Sequence, residues 1–428
     1  MSSAETDASS ARPRIRDDLL VGPALLRGDK YVHVIKDPLS GRLMTVGERE
    51  HFIVSRLDGD RSLADISSEY RAEFGRVLDD RAWGGIMATL AGRRLLAGTA
   101  PDERTPVTTV AAKPATLLHA RLPLLRPDAR LGRLADRTPW LFSPVFTVTV
   151  MAVVVATLAV IAWNLPALVR SATGVWERPW IGVVALVILW GVVALHEVGH
   201  GLAAKRFGAR VGEIGIRWRF PLLAPYCSVE EIQLLPGGHR VRVAFAGVFV
   251  SLLALPPMVP LWLAAPDGGA AHTLASALLL FGTVAALANF VPFLRLDGYA
   301  MLNHALGTED LARDSASYTA ASLVRLLRRA TPASRPPRWA RNVYVVYAVL
   351  ATIFYTALAV LVAGWWFALL EHLYGALAAV LILLVTAVLI TAGYRVVAVR
   401  RRGRAVAAPG GHEEEHDTRR RFANKERK

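Results

Sequence analysis

The sequence predicts a polytopic α-helical membrane protein with about six transmembrane helices and a small N-terminal α+β domain of winged-helix type. Two observations carry the membrane prediction. The chain of 428 residues is 53% hydrophobic and only 20% charged, whereas soluble domains contain about 45–50% apolar and about 25% charged residues. Several almost uncharged windows also reach the length of about 20 residues that a helix needs to cross a bilayer.

The N-terminal part predicts a disordered start, residues 1–18, followed by a domain over residues 19–100. The start is polar and lacks an apolar core, so it is not a signal peptide. In the domain, YVHVIKDPLSGRLMTV alternates around a turn-rich centre, which predicts a hairpin turning between Asp37 and Gly41. Ser62 and Asp65 form a loose capping box before a helix. Three short helices are expected, over about residues 48–57, 63–74 and 80–95.

A Pro- and Arg-rich stretch, residues 101–140, predicts a linker near the membrane, and residues 141–398 follow as the transmembrane domain. Residues 399–428 predict a basic cytosolic tail. Lys and Arg concentrate in every second loop, which places both termini in the cytosol. The loop over residues 205–242 is strand-capable and predicts a short sheet on the cytosolic side. The apolar segments are about 142–164, 180–204, 243–265, 273–294, 343–368 and 374–397.

The net charge of +15 is explained by the loops that set the membrane topology, because the basic residues cluster beside the apolar windows. We therefore expect the lipid bilayer, and not a nucleic acid, as the partner of these basic residues.

Cys227 is the only cysteine. This excludes an internal disulfide and a zinc site built from several cysteines.

The segment GVVALHEVGHGLAAK places His196, Glu197 and His200 inside an apolar span. The two histidines are four residues apart and so project from one helix face, where they can bind one zinc ion. Glu197 can then act as the general base that takes a proton from water. An intramembrane carboxylate without such a role would be costly, which favours zinc over two buried structural histidines.

A catalytic zinc ion normally takes a third protein ligand, and NFVPFLRLDGYA offers Asp297. Asp297 lies at the predicted cytosolic end of the fourth span, at the same depth as the two histidines on the second. Pro292 interrupts that helix, and irregular backbone at membrane depth is tolerated where it lines a cavity. Asn289 would donate to a substrate carbonyl or, equally well, make an interhelical hydrogen bond.

The motif HEVGH together with Asn289, Pro292, Asp297 and Gly298 resembles the site-2 protease family of membrane zinc metalloproteases. The resemblance implies a three-helix site-2 protease core over residues 180–300. It also implies zinc ligands at His196, His200 and Asp297, a general base at Glu197, and Asn289 near the substrate. The chain has DGY where DGG is often found and no PDZ-like insertion, and in this it resembles the peptide zinc metalloprotease branch.

The stretch KDPLSGRLMTVGEREHFIVSRLDGDRSLADISSEYRAEFG is similar to PqqD-like peptide-recognition domains. That resemblance implies capture of a leader peptide as an added strand at a sheet edge. A generic winged-helix domain with another partner is the alternative. DNA is disfavoured because acidic residues balance the arginines and no basic recognition face stands out.

Together these features predict a zinc metallopeptidase of the bacterial cell membrane, with its active site toward the cytosol. It would remove the leader from a ribosomally made precursor peptide, and peptide-modifying enzymes or an exporter are candidate further partners. One alternative is cleavage of a membrane-bound regulator such as an anti-sigma factor. Another is a non-catalytic export or immunity accessory, which would have a degraded zinc site. A transporter that uses the histidines is a further alternative, and it would show internal repeats.

Overall fold

The computed structural model describes residues 10–98, 119–219, 222–328 and 336–377, with a few further positions between 380 and 386. The chain divides into two compact units, residues 1–348 and residues 349–428. The first unit contains all the predicted site residues. It combines an N-terminal sheet domain, a group of apolar helices and a second small sheet.

The N-terminal sheet is antiparallel, and its central strand is β3, Lys30–Lys36. The short strands β1, Leu20–Val21, and β2, Leu25–Arg27, pair with opposite ends of β3 along one side. Strand β4, Leu43–Gly47, pairs with the other side. The predicted hairpin turn lies between β3 and β4, where the Asp37 amide donates to the Arg42 carbonyl (3.0 Å).

Three helices pack on this sheet: α1, Glu48–Val54, α2, Leu63–Phe74, and α3, Asp80–Gly92. Both bonds of the predicted capping box between Ser62 and Asp65 are present at the start of α2. The shared core is apolar and includes buried side chains from β3 and all three helices (Ile35, Ile53, Ile66, Trp83 and Leu90). Because the helices bury only one face each, the sheet is needed to cover them.

Within the described residues, five helical segments are long and apolar enough to cross a membrane. They correspond to the first five predicted spans, and the predicted sixth span, residues 374–397, lies largely outside the described residues. The third is broken: α9 ends at Leu253 and α10 begins at Met258, because Pro256 and Pro257 interrupt the helical hydrogen bonds. The segments are Pro144–Trp163 (α5), Pro179–Arg206 (α8), Gly237–Ala264 (α9 and α10), Ala270–Ala288 (α11) and Arg338–His372 (within α14).

The remaining helices are shorter or more polar. They are α4 (Asp128–Arg137), α6 (Leu165–Ala172), α7 (Gly174–Glu177), α12 (Asp297–Ala305) and α13 (Leu311–Arg328), and the whole of α14 is Arg338–Tyr374. The sequence did not predict α13 as a separate helix. Its pattern is amphipathic, and its Tyr318 ring contacts Tyr344 of α14.

The second sheet has the strand order β5–β6–β7, with β6 at Val211–Arg219 and β7 at Leu222–Val229. These two strands form the short sheet predicted for the loop over residues 205–242. Strand β5, His119–Leu125, comes from the region interpreted as a linker, and α4 follows it directly. The linker interpretation therefore needs correction from residue 119 onward, since β5 satisfies its backbone groups by pairing with a strand about 90 residues away in the chain.

The N-terminal domain is fixed to the helical part by backbone and side-chain contacts. The Leu26 amide donates to the Gly307 carbonyl (2.8 Å), and the Glu309 amide donates to the Leu26 carbonyl (2.9 Å). Arg27 pairs with Glu309 through its terminal nitrogen (2.6 Å). One edge of the N-terminal sheet is thus covered by the segment that follows α12.

Candidate metal centre

Helix α8 carries His196, Glu197 and His200 near its C-terminal end. The helix is apolar over most of its length, so the three polar side chains need partners within the protein. His196 is buried and His200 is half-buried. Because four residues make about one helical turn, the two imidazoles lie on the same face with their ring centroids 4.7 Å apart.

Asp297 is the first residue of α12, and a tight backbone contact fixes its position. The Gly298 amide donates to the Asn289 carbonyl at the end of α11. A methyl group built on Gly298 would lie 2.5 Å from the Phe290 carbonyl carbon and oxygen, so no larger residue fits without moving backbone. The glycine after Asp297 therefore lets the chain after α11 fold back and bring the carboxylate to α8.

The three side chains meet with their potential ligand atoms facing one another. The His196 Nε2 atom lies 2.8 Å from Asp297 Oδ2, and the His200 Nε2 atom lies 3.3 Å from Asp297 Oδ1. The two Nε2 atoms are 3.1 Å apart. One ligand atom from each residue falls within 4.8 Å of the others, which makes this a candidate metal-binding group.

Whether a metal ion fits can be tested on the remaining contacts of these side chains. His200 Nδ1 donates to the Val243 carbonyl (2.8 Å), which leaves the lone pair on Nε2 free to bind a metal. His196 Nδ1 lies 2.9 Å from the Ser251 hydroxyl. Asp297 Oδ2 is buried and makes no hydrogen bond of acceptable geometry, despite its short distance to His196.

These observations fit zinc. Tetrahedral zinc bonds of about 2.0–2.1 Å separate the ligand atoms by about 3.3 Å, close to the measured 2.8, 3.1 and 3.3 Å. Two imidazoles and one carboxylate are an established donor set for a catalytic zinc ion. His196, His200 and Asp297 would hold the ion.

The wall opposite the histidines is formed by α9, and Gly247 is the residue closest to them. A methyl group built on Gly247 would lie 2.3 Å from His200 Nε2 and 2.6 Å from His196 Nε2. Ordinary contact distances are at least 3.4 Å. Only glycine at this position leaves both nitrogens free.

Glu197 lies beside the group of three and is held by the second sheet. Its Oε2 atom accepts a hydrogen bond from the Cys227 backbone amide on β7 (2.8 Å). Burial, followed by the neighbouring Glu197 carboxylate, raises the pKa of the Cys227 thiol to about 12. The thiol is therefore neutral near pH 7, and Cys227 contributes its backbone rather than its side chain.

The Asn289 side chain does not make the predicted interhelical hydrogen bond. Its side-chain amide donates to the Ala285 carbonyl one turn earlier in α11 (3.1 Å), so the hydrogen bond lies within its own helix and not between helices. Its backbone carbonyl holds Gly298, as described above. A contact between the Asn289 side chain and substrate stays a prediction.

Sequence reasoning missed three residues of this site: Gly247, Ser251 and Cys227. A faint signal was present for the first two, since a glycine and a serine four residues apart in an apolar span lie on one helix face. Cys227 acts through its backbone amide. Because every residue except proline has such an amide, the residue type does not indicate this contact.

The fold and the site together define a helical protein with membrane-spanning potential and a candidate two-histidine, one-aspartate metal centre beside a glutamate. A comparison with curated proteins finds a similar protein from Bacillus subtilis (strain 168), named "Putative peptide zinc metalloprotease protein YydH". The two are 27% identical over 137 residues, which cover 32% of this chain and 52% of that protein. The match thus spans about half the length of the curated relative.

No protein-family profile matches the chain. No solved structure matches it significantly.

Proposed function

We propose that the protein is a membrane-embedded zinc metalloendopeptidase. The observation that carries this proposal is the meeting of His196, His200 and Asp297 next to Glu197, at the end of an apolar helix. Asp297 is about 100 residues from the histidines in sequence. A complete set of ligands beside a general base supports a catalyst over a non-catalytic export or immunity accessory.

A zinc ion bound there would polarise the scissile carbonyl and lower the pKa of a bound water. Glu197 accepts the proton that the attacking water loses and transfers it to the nitrogen of the leaving amine. The hydrogen bond from the Cys227 amide fixes Oε2 of Glu197, so the other carboxylate oxygen is the one that exchanges protons. One water molecule is consumed for each peptide bond: its oxygen becomes part of the new carboxylate, and one of its protons goes to the new amine.

Strand β7 is the element best placed to hold an extended substrate. It is an edge strand of the second sheet, and its inner side faces α8, where Trp190 Nε1 donates to the Leu223 carbonyl (3.0 Å) and Cys227 contacts Glu197. An extended substrate lying beside β7 would present its backbone to the base. A helical substrate has to unwind first, because its carbonyls are engaged in intrahelical hydrogen bonds.

The finer proposal is removal of a leader from a ribosomally made precursor peptide. The N-terminal sheet has two edges, and the segment after α12 already covers the edge at β2. Strand β4 pairs only with β3 among the described strands, and its outer edge is proposed to bind the leader. In an antiparallel pair, hydrogen-bonded and non-hydrogen-bonded residue pairs alternate. Asp37 and Arg42 form a hydrogen-bonded pair. Thr45, three residues further along, is therefore in a non-hydrogen-bonded pair with Val34, and its amide points away from β3.

The cellular setting is part of the same proposal. The enzyme would be a multi-pass protein of the bacterial cell membrane, with both termini and the active site on the cytosolic side. A precursor peptide made on ribosomes in the cytosol can reach a site on that side directly. Peptide-modifying enzymes or an exporter would act before or after the cleavage.

The test is co-expression of the full chain with a precursor peptide encoded beside it, followed by mass spectrometry of the peptide and metal analysis of the purified protein. Glu197→Gln should retain about one zinc ion per chain and lose cleavage by at least about 100-fold. His196→Ala should lose both zinc and cleavage. Unchanged processing by Glu197→Gln would rule out the protease.

Leader binding is tested separately at β4. Thr45→Pro removes one outward amide without breaking a hydrogen bond to β3, so it should weaken precursor binding, whereas Thr45→Ala should not. If both variants bind the precursor as the wild type does, the leader proposal fails while the protease stands. If the precursor stays uncut and a co-expressed anti-sigma factor is cut, the substrate is a membrane-bound regulator.

A further inference from the structure

A second group of polar atoms lies at the N-terminus of α9, where this helix packs against the end of α12. Helix α9 is 17 residues long and begins at Gly237, after Pro236, which offers no side-chain cap. The first backbone amides of a helix have no partner within it and carry a partial positive charge. His304, in the last turn of α12, lies beside this helix start.

Arg240 is in the first turns of α9 and is only 2% exposed. Its Nε atom is buried and has no hydrogen-bond partner. In the part of the chain that the structure describes, no carboxylate lies within ion-pair distance of this guanidinium. A buried cation without an opposite charge is strongly unfavourable, so this arrangement indicates an anionic ligand.

The guanidinium turns toward the helix start instead of away from it. A methyl group built on Gly237 would lie 3.7 Å from Arg240 Nη2 and 3.3 Å from the His304 carbonyl oxygen. The positive end of a helix repels a cation, so placing the guanidinium here is unfavourable on its own. An anion bound between the helix start and the guanidinium would stabilise both. Gly238 is exposed, and a methyl group there would meet nothing within 4 Å, which leaves an approach from outside.

His304 supplies a further donor on the opposite wall. Its Nδ1 atom is buried and has no hydrogen-bond partner. Burial, followed by the charge of Arg240, lowers the pKa of His304 to about 4, so the imidazole is neutral near pH 7. A neutral imidazole can still donate one N–H to an anionic oxygen.

We propose that Arg240, His304 and the first amides of α9 bind a phosphate group. Backbone amides at a helix start and a guanidinium are the two commonest protein donors to phosphate oxygens. The site lies at the predicted cytosolic end of a membrane-spanning helix, where lipid headgroups are found. The phosphate is that of an anionic lipid headgroup or a free phosphate ion.

This site is separate from the metal centre but shares two helices with it, α9 and α12. Val243, whose carbonyl orients His200, follows Arg240 by about one turn of α9. Asp297 and His304 are on the same helix, α12. A phosphate at the site would therefore pin α12, which carries Asp297, to α9, which contacts both histidines through Val243 and Ser251. The inference does not depend on the proposed protease activity.

The experiment uses the purified full-length protein in a neutral detergent. Thermal unfolding is followed at pH 7.5 with inorganic phosphate or with sodium chloride at equal ionic strength. Phosphate should raise the midpoint of unfolding by about 2 °C or more at saturation. Arg240→Met should lose this shift, and Arg242→Met, the matched exposed control, should keep it. Should Arg240→Met fail to fold, His304→Phe carries the same comparison.

The source of the phosphate is decided by lipid retention. Native mass spectrometry after extraction from nanodiscs of phosphatidylglycerol or of phosphatidylcholine is expected to show phosphatidylglycerol on the wild type and not on Arg240→Met. A phosphate shift with no retained lipid assigns the site to free phosphate. The proposal is overturned if the wild type shows neither effect, or if Arg240→Met responds as the wild type does.

Discussion

Gly247 gives the sharpest test of the candidate metal centre, because one methyl group there acts on both histidines at once. In Gly247→Ala the new carbon would lie 2.3 Å from His200 Nε2 and 2.6 Å from His196 Nε2. Restoring ordinary contact requires the rings to move by about 1 Å. A displacement of that size at a reacting centre costs about 100-fold in rate, which corresponds to about 2.7 kcal/mol.

The fold should survive this change. The atoms that must move are the ends of two side chains rather than backbone, and alanine favours a helix over glycine by about 1 kcal/mol. Gly247→Ala should therefore unfold at a temperature equal to or above that of the wild type, measured without added metal. Its peptide cleavage should fall by about 100-fold, and its zinc content should fall below that of the wild type.

The matched control is Gly191→Ala, which places a methyl group in the same apolar helix as the histidines but within 4 Å of no other atom. It should keep full zinc content and cleavage. The assay is metal analysis by mass spectrometry on the dialysed protein, together with cleavage of the co-expressed precursor. A Gly247→Ala protein that binds one zinc ion per chain with wild-type affinity would show that the histidines do not converge on α9 as described.

Two further predictions concern contacts away from the ligands. Ser251→Ala removes the hydroxyl beside His196 Nδ1 and should lower zinc affinity by about 10-fold with unfolding unchanged, measured by competition with a chelator; unchanged affinity would show that the hydroxyl does not orient the ring. Lys36→Met leaves the buried Glu231 carboxylate with only the more distant Arg210 Nε (3.9 Å) as a cation and should destabilise the protein by about 3 kcal/mol in urea unfolding. The double variant Lys36→Met with Glu231→Gln should recover most of that loss, and no recovery would contradict the ion pair as its cause.

The sequence predicts the residues of the candidate site better than it predicts how they are supported. His196, Glu197 and His200 follow one local pattern on one helix, and hydropathy alone locates that helix and the helix that ends shortly before Asp297. Hairpin turns and helix caps are local as well, so the capping box at Ser62 was predictable. Such features depend on residues a few positions apart, which is the range over which a single sequence is informative.

The features that sequence reasoning missed all depend on contacts between distant segments. Strand β5 finds its partner about 90 residues later, and residue type gives no register for such a pairing. Gly247 matters only because α9 packs against α8, and Gly298 only because the chain after α11 returns past Phe290. A glycine in an apolar helix has several ordinary explanations, and only the packed structure selects among them.

A continuous set of contacts links the N-terminal sheet to the general base. Lys36 ends β3 and pairs with Glu231, whose other oxygen accepts the Arg210 amide (3.1 Å), just before β6. Glu231 therefore ties the N-terminal domain to the base of the β6–β7 hairpin, and β7 in turn fixes Glu197 through Cys227. Since Lys36 and Glu231 are 3% and 7% exposed, solvent screens their attraction weakly. The N-terminal domain is thus part of what positions the base, and its removal should impair catalysis even for a substrate that has no leader.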